Sequence, residues 1–249
     1  MYGRANLPAR AVVADTAEKL ADLLYSMGQD FLKKKKFDLA IKWLERAHEV
    51  LSAQEPERLS FDASDLATSI TQSRAQALIA LQNDEALIQA TQIVDAFESV
   101  VGSDKLLILL LRLEILNAPL NPHFDNGAYA DIIHKMIRTV MLTVSNFKLI
   151  MHHIRKLNDK APSIACNMLD DFLQNRLLTT EGNEAWIETA VVNRIFMSCN
   201  SKDGQGVFES VRKMLNMVVA SWKKPLTPSA THACQTVSEA WVMPQGDAS

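Results

Sequence analysis

The residues that could perform acid–base or metal chemistry in this chain occur as adjacent pairs. His152 and His153 are neighbours, and neighbouring side chains on an α-helix point about 100° apart, so the two imidazoles cannot bind one metal ion from one helix face. Asp170 and Asp171 are adjacent in the same way, which favours a solvated helix face over a catalytic pair of carboxylates. We therefore predict no metal site and no catalytic residues here.

The three cysteines offer no clear reactive site either. Cys166, Cys199 and Cys234 are widely spaced and odd in number, which matches neither a disulfide framework nor a zinc knuckle. No His, Asn or Asp can be tied to Cys166 or Cys199, so we interpret both as core residues. The phosphate-loop, dinucleotide, zinc-protease and serine-hydrolase motifs are all missing from the sequence. We expect a protein that is not an enzyme and binds no cofactor.

The composition favours a folded, helical, intracellular protein. Apolar residues make up 48% and charged residues 22%, with only eight glycines and eight prolines for turns. The net charge of −3 argues against a dedicated nucleic-acid binder, which needs basic residues to neutralise phosphates. The most apolar run, Leu106–Leu116, contains Arg112 and Glu114 and is too short to span a bilayer. We predict no membrane partner and no small-molecule ligand.

Apolar residues recur every three or four positions along nearly the whole chain, and we find no convincing strand. This pattern predicts about eleven helices, at residues 16–34, 37–52, 66–81, 83–100, 102–118, 128–141, 146–158, 163–178, 183–199, 207–222 and 227–242. The tryptophans Trp43, Trp186, Trp222 and Trp241 are interpreted as packing residues. So many helices with short loops indicate an all-α fold, an α-solenoid of antiparallel helix pairs, with a compact bundle as the alternative.

One helix pair matches the tetratricopeptide pattern, in which small residues allow two helices to touch and rings fill the adjacent space. Six residues stand at the required mutual spacings: Gly28, Phe31, Phe37, Ala40, Leu44 and Ala47. Chance amphipathicity would supply the leucines but not the small residues in register. The best repeat covers residues 21–54, and later pairs keep only the helix–turn–helix rhythm.

The segment LADLLYSMGQDFLKKKKFDLAIKWLERAHEVL resembles the opening repeat of the meiosis-specific sporulation and synapsis family of tetratricopeptide proteins. That family includes the fungal "zip" crossover scaffold and its testis-expressed animal relative. The matching residues are Gly28, Ala40, Trp43, Leu44, Glu45 and Ala47, and the resemblance extends over about residues 16–200. It implies a non-enzymatic scaffold in meiotic recombination that promotes crossover formation and chromosome synapsis. The implied partners are meiotic crossover and synapsis proteins, and the implied location is the chromosomes in the nucleus.

Two other functions stay open at this point. One is a general tetratricopeptide adaptor of a cytosolic or cell-cycle complex. The other is a helical-repeat RNA binder, which would need polar residues at one offset in every repeat and a basic inner face. The acidic net charge and the degenerate later repeats disfavour the RNA binder.

The predicted domain organisation has three parts. Residues 1–15 form an N-terminal extension, 16–242 a helical-repeat domain, and 243–249 a tail. Members of the family that the chain resembles are usually several times longer. We therefore expect the chain to be a fragment of a longer solenoid.

A protein-binding groove is predicted from the repeat register, because the first helix of each tetratricopeptide pair lines the concave face. If Gly28 sets the register, the groove-facing residues are Asp22, Tyr25, Gln29, Leu32 and Lys33. Related co-chaperones grip a peptide carboxylate with Lys and Asn at the positions of Tyr25 and Gln29, and neither residue here can make that contact. The sequence therefore favours a larger protein surface as the ligand.

Four consecutive lysines, residues 33–36, cover the end of the first predicted helix and the turn before the second. The register places them at the end of one helix and in the turn to the next, where lysine complements the helix dipole and the charges can spread into water. We interpret the run as a turn. A nuclear import signal is the alternative.

Overall fold

The structure is a computed structural model that describes residues 7–119, 124–180, 182–199 and 204–221. Every regular element in these ranges is helical. The ten α-helices are α1 (Leu7–Lys33), α2 (Phe37–Ser52), α3 (Phe61–Leu81), α4 (Asp84–Val101), α5 (Leu106–Leu116), α6 (Asn126–Thr139), α7 (Val144–Asn158), α8 (Pro162–Phe172), α9 (Glu184–Cys199) and α10 (Gly204–Ser221). A 3₁₀ turn at Pro56–Arg58 precedes α3, and a π-helical turn at Leu173–Leu177 extends α8. The all-α prediction is confirmed.

The chain divides into two compact units. The N-terminal unit, Met1–Phe124, contains α1 to α5, and the C-terminal unit, Asp125–Ser249, contains α6 to α10. None of the helices in the described ranges has the length and apolar character needed to cross a membrane.

Most of the predicted helices are found close to their predicted positions. The bounds of α2 are those predicted. Asn83 caps α4, since its Oδ1 accepts a hydrogen bond of 2.7 Å from the backbone N–H of Ala86. The predicted helix at 227–242 lies outside the described residues, as do Trp222, Trp241 and Cys234. The sequence pattern is therefore a reliable guide to where helices form in this chain.

Three helix starts lie four or more residues from their predicted positions, and α5 is one of them, since it begins at Leu106 instead of residue 102. Helix α1 begins at Leu7 instead of residue 16, since Pro8 is tolerated in a first turn and the alanines that follow favour helix. Helix α3 begins at Phe61 instead of residue 66. There the Glu18 carboxylate of α1 accepts hydrogen bonds from the backbone N–H and the hydroxyl of Ser60, at 2.6 and 2.7 Å. A distant residue thus satisfies the N-terminus of α3, which local sequence could not show.

The lysine run forms the turn between α1 and α2. Lys33 ends α1, and the backbone N–H of Lys36 donates to the carbonyl of Phe31 while that of Lys35 donates to Leu32, both at 2.9 Å. This pair of bonds is the Schellman arrangement, and Lys35 occupies its left-handed position with φ of 56°. The predicted location of the lysines is confirmed.

Lys35→Gly is expected to raise the free energy of unfolding of the N-terminal unit by about 0.5–1 kcal/mol. A residue with a Cβ pays a steric cost in the left-handed conformation of Lys35, and glycine does not. This gain exceeds the free energy that glycine costs through the greater entropy of the unfolded chain. Lys34→Gly is the charge-matched control and should be neutral or destabilising, since Lys34 does not have a positive φ. Urea unfolding followed by circular dichroism measures both. Equal shifts in the two variants would contradict the left-handed assignment.

The N-terminal unit has a continuous apolar core built from all five helices. Small residues let the first helices approach closely, since Ala21 of α1 is fully buried and packs with Ala47 and Leu51 of α2. The apolar helix α5 contributes Ile108 and Leu111 to a cluster with α3 and α4. The burial of α5 against α3 and α4 accounts for its largely apolar sequence.

The C-terminal unit is held together by aromatic and polar contacts as well as by aliphatic packing. Trp186 of α9 stacks on Phe147 of α7 with ring centroids 5.5 Å apart, so its predicted packing role is confirmed. Arg176, in the π-helical turn, donates to the carbonyls of Arg138 and Val140 at 2.7 and 3.0 Å. These bonds satisfy carbonyl groups that the end of α6 leaves without helical partners.

Candidate protein-interaction site

The five residues of the predicted concave groove are not equally accessible on α1. Asp22 and Lys33 are exposed, and Lys33 Nζ lies 3.7 Å from the Asp30 carboxylate. Tyr25 and Leu32 are half-buried and pack against the core clusters shared by α1, α2 and α3. A partner protein that binds this face of α1 can therefore contact only the exposed parts of these side chains.

Gln29, the fifth of these residues, is engaged inside the N-terminal unit. Its Nε2 lies 2.6 Å from the hydroxyl of Ser73, a buried residue of α3. The bond joins side chains 44 positions apart in sequence and orients the amide towards α3. Binding of a partner by this face of α1 stays a prediction.

Five of the six residues of the tetratricopeptide pattern lie at the contact between α1 and α2. Gly28 is buried, and a Cβ placed on it would lie 2.7 Å from Cγ and Cδ2 of Leu44. Ala40, Leu44 and Ala47 are fully buried, while Phe31 is half-buried against the cluster that contains Ala40 and Leu44. Phe37 is half-buried at the start of α2. The glycine is therefore needed because a leucine occupies the space where its side chain would be.

A second surface, which sequence reasoning missed, is a groove above α3 between α2 and α4. It has a volume of about 730 Å³. The helices α2 and α4 approach at one end of α3, where Ile41 packs with Leu78, Ala86 and Ala90. We call this cavity the outer groove. Its lining comes from α2 (Glu45, His48), α3 (Ser64, Ala67, Thr68, Thr71, Arg74) and α4 (Gln89, Gln92, Ile93, Ala96, Phe97, Val100, Val101).

The outer groove is open because the residues of α3 that form its base are small. Ser64, Ala67, Thr68 and Thr71 each lie three or four positions from two others of the set and so line one side of the helix. The Thr71 hydroxyl donates to the carbonyl of Ala67 at 2.8 Å, which satisfies that donor within α3. The α4 side is mainly apolar, and Val100 at its edge is 83% exposed. An apolar wall beside a base of small side chains can accept side chains of another molecule.

A positive charge lies at the base of the outer groove. The Arg74 side chain is 17% exposed, and its ion pair in the described structure is with Glu45, at 3.6 Å from Nη2 to Oε1. That distance is longer than a hydrogen bond, and the buried Nε–H of Arg74 donates to no described group of the protein. Burial and the nearby Arg74 charge lower the pKa of His48, which favours its neutral form. Arg74 is therefore the dominant fixed cation of the groove.

The outer groove could not be found from the sequence because its residues come from three helices. The spacing of the small residues along α3 was visible in the sequence, but small residues on one face of a helix normally indicate close packing against a neighbouring helix. The only sequence signal was Arg74, the one basic residue of α3.

In the C-terminal unit, His153 could perform acid–base chemistry by residue type, but it contacts a buried tyrosine. Tyr129 is fully buried, and its hydroxyl lies 2.7 Å from Nδ1 of His153. Burial, followed by the charges of His152 and Lys156, lowers the pKa of His153 to about 4, so the ring is neutral at pH 7. In the tautomer with its hydrogen on Nε2, the neutral ring accepts the Tyr129 hydroxyl hydrogen at Nδ1. His153 is thereby committed to a core contact.

The adjacent aspartates have separate partners. Asp170 of α8 binds the buried guanidinium of Arg194 through two bonds, of 2.8 Å from Nε and 3.1 Å from Nη2. Asp171 instead lies 3.4 Å from Nδ1 of His134 and accepts a hydrogen bond of 2.5 Å from the amide of Asn175. The two carboxylates therefore do not act as a pair.

Cys166, on the same helix as the aspartates, is half-buried, and burial raises the pKa of its thiol. A raised thiol pKa reduces the fraction of reactive thiolate at neutral pH. Across the described residues, no group of three His, Cys, Asp or Glu side chains is placed to hold a metal ion.

Comparison with known protein families identifies the chain. A family model described as "Meiosis protein SPO22/ZIP4 like" matches residues 1–237. The chain belongs to this family. The SPO22/ZIP4-like match covers both structural units and confirms the meiotic family that the α1–α2 segment resembles. Neither the curated proteins nor the solved structures include a significant match to this chain.

Proposed function

We propose that this SPO22/ZIP4-like chain is a non-enzymatic scaffold that binds other proteins during meiotic recombination and promotes crossover formation and synapsis. The family match over residues 1–237 carries the proposal, because it assigns the chain to meiosis proteins. The scaffold binds crossover and synapsis factors and acts on chromosomes in the nucleus. Its helices form an α-solenoid of antiparallel, tetratricopeptide-like pairs that extends the contact surface.

Two features of the N-terminal unit support a binding function. The outer groove offers an apolar wall and a partly unsatisfied cation on one surface. Partner proteins commonly bury apolar side chains in such grooves and use a few polar contacts to set their orientation. Rigid helices hold the groove residues in place without a bound partner, which reduces the entropy cost of association.

The test is removal of the gene in the organism that encodes the chain. We expect fewer crossovers between linked markers and incomplete synapsis in prophase of meiosis I, with vegetative growth unchanged. Normal crossover numbers and normal synapsis would contradict the proposal. Transcript timing provides an independent check, since steady vegetative expression would favour a general adaptor instead.

A further inference from the structure

Arg74 is an arginine with unused hydrogen-bonding capacity in a partly buried place. A guanidinium has five N–H donors, and buried donors are almost always satisfied because leaving one unpaired is costly. Arg74 is 17% exposed, its Nε–H has no described partner, and Glu45 approaches only to 3.6 Å. A ligand in the groove that supplies acceptor oxygens would pair with the exposed part of the guanidinium, which Glu45 approaches without forming a hydrogen bond.

The groups around Arg74 select the class of ligand. A carboxylate matches the guanidinium edge through two parallel hydrogen bonds, and the contact gains strength where water is restricted. In the same groove, Ile93, Ala96 and Phe97 of α4 form an apolar surface that a free inorganic anion would leave uncovered. A ligand with both an anionic and an apolar part fits both features, and a polypeptide segment has such parts at successive residues.

We propose that the outer groove binds a segment of a partner protein in which an Asp or Glu carboxylate pairs with Arg74 and a neighbouring apolar side chain packs on Ile93 and Phe97. This inference rests on the proposed scaffold function and names the chemistry of one partner contact. The exposed Val100 extends the same apolar surface to the edge of the groove and lengthens the segment that can be covered.

Glu45 is the acidic partner of Arg74 when no ligand is bound in the groove. Its carboxylate lies near Nη2 of Arg74 at 3.6 Å, and its own side chain is 42% exposed, so it can turn towards water when a ligand carboxylate arrives. Because Glu45 and the ligand carry like charges at the same cation, Glu45 weakens binding. Removing its charge should therefore tighten binding, which a purely structural role for the Glu45–Arg74 pair does not predict.

The experiment selects ligands for the full chain from a library of short random peptides displayed on phage. One enriched peptide is then synthesised with a fluorescent label, together with a version in which each Asp or Glu is replaced by its amide. Fluorescence anisotropy compares the wild-type chain with Arg74→Gln, Arg74→Lys and Glu45→Gln. Arg46→Gln is the matched control, because Arg46 lies on α2 outside the groove lining and pairs with Glu49 at 2.9 Å on the surface.

We expect enriched sequences that contain an acidic residue next to apolar ones. Affinity should fall about tenfold or more in Arg74→Gln and with the amide peptide, fall less in Arg74→Lys, and rise several-fold in Glu45→Gln. Arg46→Gln should bind as the wild type does. Circular dichroism establishes that each variant is folded before its affinity is compared.

Three outcomes would overturn the inference. They are the absence of enriched peptides, enriched peptides that bind Arg74→Gln as well as wild type, and self-association that Arg74→Gln abolishes, which would assign the groove to a second copy. If one of these outcomes occurs and the deletion strain has a crossover defect, the proposed groove contact is wrong and the proposed scaffold function still holds. If the deletion strain has normal crossovers and peptide binding depends on Arg74, the proposed meiotic scaffold function is wrong and the proposed groove contact still holds.

Discussion

Replacing Arg194 with methionine is expected to lower the free energy of unfolding of the C-terminal unit by about 3–5 kcal/mol. Arg194 of α9 is 2% exposed and binds Asp170 of α8 through two bonds. Its guanidinium also donates to the hydroxyls of Ser198 and, at 2.6 Å, of Ser210 on α10. Removing the cation leaves Asp170 without its counter-ion and two hydroxyls without a common partner. One side chain thus links three helices.

The matched control for this prediction is Arg212→Met. Arg212 is an exposed arginine of α10 whose nearest described acidic partner, Glu209, lies 3.9 Å away. Exposed pairs of this kind contribute about 0–1 kcal/mol, so the control should remain near wild type. Arg194→Lys should fall between the two, because it keeps the charge and loses the paired geometry.

The measurement should be local, because two compact units need not unfold together. Hydrogen exchange followed by mass spectrometry reports protection peptide by peptide. We expect Arg194→Met to accelerate exchange in α8, α9 and α10 and to leave α1 and α2 unchanged. Wild-type exchange in α8 to α10 would show that the Arg194 network does not stabilise this unit.

Leu44→Ala is expected to destabilise the N-terminal unit by about 2–5 kcal/mol, since the deleted side chain is fully buried between α1 and α2. Leu39→Ala on the same helix is the control. Leu39 is 39% exposed, and Leu39→Ala should lower the free energy of unfolding by clearly less than Leu44→Ala does. Urea unfolding or exchange in the α1 and α2 peptides measures both variants.

The same leucine decides the effect of Gly28→Ala. In the wild-type chain the new Cβ would lie 2.7 Å from Cγ and Cδ2 of Leu44, and overpacking costs about 1–3 kcal/mol. That cost exceeds the helix propensity that alanine gains over glycine, about 1 kcal/mol. In the Leu44→Ala background the obstructing atoms are gone, so Gly28→Ala should become stabilising. A change that is equal in both backgrounds would refute the close contact.

The two candidate surfaces of the N-terminal unit differ in how much they can offer a partner. On α1, Gln29 is hydrogen-bonded to Ser73 and Tyr25 packs into the core, so much of the predicted concave surface is used within the unit. The outer groove keeps an apolar wall and an incompletely paired Arg74. We therefore expect substitutions at Arg74 to affect partner binding more than substitutions at Gln29.

Sequence alone determined the helical architecture and the family. Helix α2 has its predicted bounds because apolar residues recur at helical spacing, and that periodicity is a local property. Gly28, Ala40 and Ala47 could be assigned to the α1–α2 contact because a repeat keeps small residues at constant offsets. The match over residues 1–237 agrees with the meiotic family that this segment resembles.

Tertiary structure alone decided which distant residues meet. Glu18 satisfies the start of α3 at Ser60, Arg194 pairs with Asp170, and Arg74 lies beneath a groove that α2 and α4 leave open. These contacts join residues separated by tens of positions, and their partners depend on how helices rotate and cross. Side-chain periodicity specifies which face of a helix is apolar, but it does not specify which neighbour that face meets. The candidate binding site of this protein therefore followed from packing between helices.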